Sequence, residues 1–364
     1  DCSTLDGSNQ LPGVSIIVPA RNEAEHIEPA LRSLLRLEYS RYEVIAIDDR
    51  SDDETGTVLD WIATEFAQRD SSETKLKIIH ISELPAGWLG KTHAMWTAAR
   101  CATYDWLLFT DADVVYRGDA LRRAMAYAER EQADHVVLFP TMLLHSIGER
   151  MMMAFFQTLF VFTHRPWKVA DPQSSDHMGV GAFNLIRRKV YEDLGTYERL
   201  RMAVLDDIKL GELVKMGRYR QRNVFGRDLL RLRWFAGVRG MVRNLTKNFF
   251  AIMHYDSLWT TGAIGSILLL NLVPFLGFVL THGWLRAGFA VSLAAITCVY
   301  IGMARKSDIS PLYFFLHPIG TVLFCYTVAR SMLITLMQGG VVWRGTWYPL
   351  GDLKKFAGDR RKWG

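Results

Sequence analysis

Trp106-Leu107-Leu108-Phe109-Thr110-Asp111-Ala112-Asp113 is a short apolar run that stops on two carboxylates. A run of large apolar residues this short reads as a buried strand. Carboxylates at i and i+2 just past such a strand form a compact set of hard oxygen donors. The set suits Mg²⁺ or Mn²⁺ and leaves coordination positions open for a substrate diphosphate. Surface turns also produce Asp-x-Asp, so the tripeptide takes its meaning from its surroundings.

Working outward, Val14-Ser-Ile-Ile-Val18 ends at Pro19 and Glu43-Val-Ile-Ala-Ile47 ends at Asp48-Asp49-Arg50-Ser51-Asp52-Asp53. Leu76 to His80 and Val136 to Phe139 are two further strand-like runs. Ile27, Leu31, Leu34 and Leu35 recur at helical spacing, as do Val58, Leu59 and Ile62. Strands alternating with helices predict an α/β fold with a largely parallel, doubly wound sheet. Ligands of such sheets bind beyond the carboxyl ends of the strands. Pro19, Asp48-Asp49 and Asp111-Asp113 all fall at such ends, and that convergence predicts a site.

The chain has 364 residues, 49% hydrophobic and 22% charged, and its mean hydropathy is +0.05. The average conceals an asymmetry. Gly262 to Thr281 and Ala287 to Ala304 contain no Asp, Glu, Lys or Arg, and Leu312 to Gln338 carries only Arg330. About 20 apolar residues cross a bilayer, so the first and third stretches are long enough and the second nearly so; buried helices of a large soluble core are the alternative. The net charge of +5 concentrates at 218–243 and 354–362, flanking the apolar segments. That placement fits an anionic membrane surface better than nucleic acid. Arg150 to Trp167, rich in Met and Phe, reads as a core helix or as an interfacial one, and Arg231 to Phe250 as a cationic amphipathic segment. The four cysteines, at 2, 101, 298 and 325, have no metal-binding spacing and fit a reducing compartment. The chain begins at Asp1 rather than Met, which fits a truncated or processed chain; whether a signal or anchor preceded it is left open by the sequence. The resulting division is a catalytic domain at 1–230, an interfacial segment at 231–260, transmembrane helices at 261–340 and a basic tail at 341–364.

Ile16-Ile-Val-Pro-Ala-Arg-Asn-Glu23, Ile47-Asp-Asp-Arg-Ser-Asp52, Thr110-Asp-Ala-Asp113 and Leu205-Asp-Asp-Ile208, in that order, resemble the motifs of family 2 inverting glycosyltransferases. The resemblance covers nearly the whole chain. Trp343-Arg-Gly-Thr-Trp-Tyr348 after the apolar cluster, and Gly240 to Asn248, are similar to membrane glycosyltransferases of the carotenoid- and hopanoid-associated kind. The resemblance implies a GT-A-like (Rossmann-like) nucleotide-sugar domain followed by interfacial helices and a C-terminal transmembrane region. It implies that Pro19, Ala20 and Glu23 line the nucleotide pocket and that Asp48 or Asp49 binds the base, usually uracil, whose imide N–H a carboxylate can accept. Lys91 would meet the diphosphate as a point charge. Asp111 and Asp113 would hold Mg²⁺ or Mn²⁺, with Asp113 the more direct ligand.

Asp206-Asp207 stands where the family has an acidic pair, usually Glu-Asp, with Asp207 as the base that takes the acceptor's proton. The competing role for this pair is an N-cap of the following helix. Gly179-Val-Gly181 would form the floor of the acceptor site, an ordinary turn being the alternative, and Trp234 is assigned to the acceptor side. His93 is either a substrate contact or a packing residue. Processive synthases carry Gln-x-x-Arg-Trp after the acidic pair. Here Arg233-Trp234 is present but Leu230 takes the Gln position, which argues against a long polymer product.

The function expected is transfer of a sugar from a nucleotide-sugar, with UDP the inherited donor, to a lipid or lipid-like acceptor at a membrane, without nucleic acid. A polyprenyl-phosphate glycosyltransferase, a polysaccharide synthase and a non-catalytic membrane scaffold are the alternatives. The expected setting is a bacterial inner membrane with the catalytic domain facing the cytoplasm. Three simple spans would then put Lys354, Lys355 and Arg360-Arg361-Lys362 outside, against the positive-inside tendency. Leu312 to Gln338, with Pro318 and Arg330 inside it, is therefore expected to form a bent or re-entrant hairpin.

Overall fold

Each apolar run named above is a strand in the computed structural model, which describes residues 11–69, 75–304 and 309–358. Cys2 and Arg360 to Lys362 lie outside the described residues. In chain order the strands are β1 (Val14–Ala20), β2 (Tyr42–Asp49), β3 (Lys75–Ile81), β4 (Trp106–Phe109), β5 (Val114–Tyr116), β6 (His135–Phe139), β7 (Thr141–Met142), β8 (Asn184–Arg187), β9 (Gln221–Phe225) and β10 (Leu230–Leu232). Seven form one sheet in the order β3-β2-β1-β4-β8-β6-β9. All its pairings are parallel except those of β8, which runs antiparallel to both β4 and β6.

Helices cover both faces, so the central strands read as continuous apolar runs instead of alternating ones. Val14 to Val18 in β1 and Trp106 to Leu108 in β4 are fully buried. Helices Ile27–Leu34, Thr55–Arg69, Gly90–Cys101, Ala120–Arg130 and Asp206–Met216 are the main ones. Their registers bring the strand ends level: Ala20 pairs with Asp48 and Ile17 with Phe109. β5, β10 and β7 form a small second sheet in which Leu230 pairs with Tyr116. Leu230 is fully buried there, a placement that suits leucine and not a substrate-facing glutamine.

The chain divides into two compact units. The first holds the described parts of 1–142 and 166–233, the second 143–165 and 234–358. In the second, helix Ile147–His164 opens with a capping box between Ser146 and Glu149 and buries Met151 to Phe155. Helix Gly237–Ile252 is amphipathic: Met241, Val242, Leu245, Phe249 and Phe250 are buried, and Arg239 and Arg243 are exposed.

Among the described residues, three segments of the second unit are long and apolar enough to cross a membrane: Ser257–Leu280, Gly283–Ala304 and Pro311–Met337. They carry large apolar side chains on the outside, such as Trp284 and Val291, as lipid-facing helices do. The hairpin expected at 312–338 is not formed. A short 3-10 turn, Pro311–Leu316, leads into one continuous helix, His317–Met337. Pro318 sits in its first turn, where the missing N–H breaks no bond. Arg330 is accommodated by donating to the Thr246 hydroxyl. A hairpin of β11 (Gly340–Trp343) and β12 (Thr346–Pro349) follows.

Candidate active site

The loops after β1 and β2 are joined into one rim. The Asn22 amide donates to Ser51 Oγ at 3.0 Å, and the Asn22 side-chain oxygen accepts from the Asp52 amide at 2.8 Å. The Glu23 amide donates to Thr55 Oγ1 at 2.8 Å. These bonds hold Pro19, Ala20 and Glu23 beside Asp48 and Asp49. Asp48 stands 3.3 Å from His80 Nδ1 and accepts from the Ser51 amide at 3.2 Å. Its neighbour Asp49 is buried and accepts from Arg50 Nε at 2.8 Å. Gly90, the first residue of helix Gly90–Cys101, approaches the Asp49 carboxylate so closely that a side chain there would collide with it.

Lys91 follows directly and links the rim to the acidic groups. Its Nζ lies 2.7 Å from Asp111 Oδ1 and 3.6 Å from Asp206 Oδ1. Asp207 is also within its field, and these carboxylates together hold the ammonium well above its ordinary range despite burial. Three carboxylates thus face one cation. Burial pushes Asp206 up, as do the charges of Asp207 and Asp111. Burial likewise raises Asp207, whose Oδ1 accepts from the Ile208 amide at 2.8 Å.

The pair does not cap its helix. Leu205 occupies the N-cap position with no side-chain bond, and Asp206 and Asp207 fill the first turn. There the positive end of the helix dipole partly offsets their charge.

Gly179 and Gly181 lock this arrangement. Gly179 packs on the main-chain carbonyl of Asp207, and Gly181 on the carboxylate of Asp111. The Asp111 amide donates to the Gly181 carbonyl at 3.0 Å. Behind this loop runs a buried polar chain. Met178 donates its amide to Gln221 Oε1 at 2.8 Å, Gln221 Nε2 donates to His135 Nδ1 at 2.9 Å, and His135 Nε2 donates to Asn184 Oδ1 at 2.9 Å.

Asp113 lies two residues beyond Asp111, half-buried, at the start of β5. Among the described residues no group of three or more His, Cys, Asp or Glu side chains is arranged to hold a metal. Asp111 and Asp113 nevertheless fit Mg²⁺ or Mn²⁺. They offer hard oxygen donors, the cluster around Lys91 has excess negative charge, and such ions commonly take one or two carboxylates with substrate phosphates completing the shell.

His93 is mostly buried against Trp88 and Trp96, at ring separations of 5.4 and 6.1 Å, and burial lowers its basicity. Trp234 belongs to the second unit, where it packs on Phe235 and Phe156 at 5.0 and 5.5 Å.

Tyr197 escaped the sequence reading. It is fully buried, and burial together with the charge of Asp206 holds its phenol well above the ordinary value. The Arg201 carbonyl also escaped it; this group accepts from Thr92 Oγ1 at 2.7 Å and from the Leu89 amide at 2.8 Å. It ties the Lys91 segment to the loop before Asp206. Neither lies in a patterned motif.

The Glycosyl transferase family 2 model matches residues 15–195. A 4,4′-diaponeurosporenoate glycosyltransferase of Staphylococcus aureus strain MRSA252 is 23% identical over 352 residues, covering 93% of this chain and 88% of the relative. The protein of the same name from Staphylococcus haemolyticus strain JCSC1435 is 22% identical over 266 residues, covering 70% of this chain and 67% of the relative. Among solved structures, the mannosyltransferase PcManGT from Pyrobaculum calidifontis, in complex with GDP-Man and Mn²⁺, is similar in fold. Its TM-score is 0.53 at 20% identity, with 89% of this chain and 87% of that chain covered.

Proposed function

Residues 15–195 being a family 2 glycosyltransferase domain, the chain is a glycosyltransferase, and we propose that it is an inverting, divalent-metal-dependent one. It moves a sugar from a nucleotide-sugar to a lipid or lipid-like acceptor at the membrane interface. The observation that carries this reading is the meeting of Asp111, Asp206 and Asp207 around Lys91. An inverting transfer needs a base for the acceptor's proton and positive charge for the leaving diphosphate, and this cluster brings candidates for both into one place.

Lys91 neutralises diphosphate oxygens, and the rim at 19–23 and 48–52 seats the nucleoside. Asp111 and Asp113 would hold the divalent ion, which when bound stabilises charge developing on the leaving nucleotide. The Mn²⁺ in the complex of the mannosyltransferase of like fold supports that requirement. Asp207 takes the acceptor's proton. Its raised affinity for protons makes it a stronger base than an ordinary carboxylate. Asp206 shares the Lys91 contact and keeps the pair anchored.

The base contact at Asp48 or Asp49 suits the uracil imide. The same carboxylate can accept from guanine N–H groups, and the mannosyltransferase carries GDP-Man. The three membrane-length segments give a lipid-soluble acceptor a physical rationale, and the carotenoid in the relatives' name falls in that acceptor class. We place the catalytic unit on the cytoplasmic face of a bacterial inner membrane, where nucleotide-sugars are made.

The test is metal-dependent release of nucleotide from radiolabelled UDP- and GDP-sugars by membranes carrying the wild-type chain, Asp113→Ala and Asp207→Asn, with label followed into the lipid extract. Labelled lipid from the wild type and about 10²–10⁴-fold less from Asp207→Asn is the expected result. Retained turnover in Asp207→Asn would indicate an acceptor that arrives as an anion, a carboxylate or a phosphate. Label left as polymer would favour a synthase. No turnover with any donor by folded protein would overturn the enzymatic reading.

A further inference from the structure

The first unit has a second concave site, at the opposite end of the sheet from the carboxylates. β9 is the edge strand and runs parallel to β6. Its amino end, with the turn before it and the segment at 170–173, encloses a cleft of about 500 Å³. Lys215, Arg218, Arg220 and Arg222 line it together with Tyr219 and Gln173; among the described residues no carboxylate lines it, while Asp171 and Asp176 stand close enough behind it to act on Lys215. Helix Asp206–Met216 starts at the catalytic carboxylates and ends here. Lys215 lies nine residues beyond Asp206, about 14 Å along the axis at ~1.5 Å per residue.

Charged residues on an edge strand often do no more than discourage pairing with another sheet. Here two observations go further. The cations converge on a cavity. The cavity walls are held in place before any ligand arrives. Lys215 Nζ donates to the Val169 and Asp171 carbonyls at 2.7 and 2.6 Å. Arg222 Nε is 3.5 Å from Glu131, and Arg220 donates to Gln132 at 2.9 Å. Tyr219 donates its hydroxyl to Asp193 at 3.0 Å. Such preorganisation lowers the entropic cost of binding.

Arg218 is exposed and adopts φ +59° as the residue that closes helix Asp206–Met216: its amide donates to the Lys215 carbonyl at 3.0 Å and the Tyr219 amide donates to the Val214 carbonyl at 3.1 Å, the usual left-handed end of a helix. Burial depresses the Lys215 ammonium; the Asp171 and Asp176 carboxylates offset part of this and Arg222 adds to it, and a bound anion would relieve the remaining penalty.

We propose that this cleft is a binding site for a phosphate-bearing anion, separate from the diphosphate site at Lys91. Phosphate suits the setting because arginine guanidinium groups meet its oxygens in a fork while Lys215 adds a point charge. A soluble phosphate and the headgroup of an anionic lipid present the same chemistry, and the test separates them.

The full chain in neutral detergent is dialysed to equilibrium against radiolabelled inorganic phosphate. In nanodiscs it is examined by native mass spectrometry for retained phosphatidylglycerol against phosphatidylcholine. Arg218→Asn/Arg220→Gln is compared with Arg123→Gln/Lys189→Gln, which removes equal charge from exposed sites elsewhere. Asn tolerates the left-handed backbone, and Arg218→Gly serves as a second variant that removes the charge and relaxes the backbone. Binding at Lys91 is common to all variants.

The expected result is binding of one of the two probes that weakens about tenfold or more in the cleft variants and persists in the control, a tenfold change being about 1.4 kcal/mol. Phosphate retention then identifies a soluble ligand, and selective phosphatidylglycerol retention a lipid headgroup. Equal binding by the cleft variants and the wild type would overturn the proposal, as would failure of the wild type to retain either probe.

Discussion

Gly179 lies against the main-chain carbonyl of Asp207, closer than any residue with a Cβ could come. The acceptor-side loop and the acidic helix are therefore fitted to each other through backbone. A methyl group at this point must push the helix N-terminus, and with it both carboxylates, away from Lys91. Gly179→Ala is expected to reduce turnover about 100-fold, the effect of misplacing a catalytic group by roughly 1 Å. The accompanying loss of stability is about 1–3 kcal/mol. Steady-state rates and a thermal midpoint in detergent measure the two; unchanged turnover would count against this fit.

Lys91 touches both Asp111 and Asp206. Lys91→Met is expected to raise the donor KM and lower the thermal midpoint, with Lys91→Arg recovering part of both. The stability loss should fall short of the roughly 3–5 kcal/mol seen when a buried pair is broken, because the Asp111 side chain is 35% exposed and water screens it. A donor KM unaltered in Lys91→Met would remove this residue from the diphosphate site.

Chelation of divalent ions is expected to abolish transfer, and Mn²⁺ or Mg²⁺ to restore it. Asp113→Ala should raise the metal concentration for half-maximal rate about tenfold, the effect of losing one ligand-strength contact of ~1.4 kcal/mol. Metal titrations of the two proteins read this directly. Superimposable curves would show that Asp113 is not a ligand.

His135 provides a pH dependence separate from catalysis. It is fully buried between Asn184 and Gln221, and burial lowers its pKa from 6.5 to about 4. Between these values the unfolded chain binds a proton that the folded chain does not. Stability therefore falls as pH drops from 6.5 to about 4, by up to about 3 kcal/mol, and levels off below. The thermal midpoint of the wild type should decline across that window more steeply than that of His135→Gln. Parallel slopes would refute the assignment.

The amino-acid sequence by itself determined, to within two residues, where β1, β2 and β4 stop, because apolar runs long enough for a buried strand are local features. Asp48, Asp49, Asp111 and Asp113 follow such runs directly, so their common edge was readable from order alone. The membrane-length segments were equally legible, since charge-free stretches are also local. What the sequence could not reveal depends on pairings between distant residues. β8 enters the sheet antiparallel between β4 and β6, and this reversal brings Gly179 and Gly181 against Asp207 and Asp111. The segments of Lys91 and Asp206 are tied together by the Arg201 carbonyl, far from Lys91 in the chain. The Met- and Phe-rich stretch at 147–164 has a helical period whichever body it packs on, and tertiary contacts assign it to the second unit. The continuous helix at 317–337 was decided in the same way: the Thr246 hydroxyl accepts from Arg330, a tertiary partner for the residue that in isolation argued for a bend.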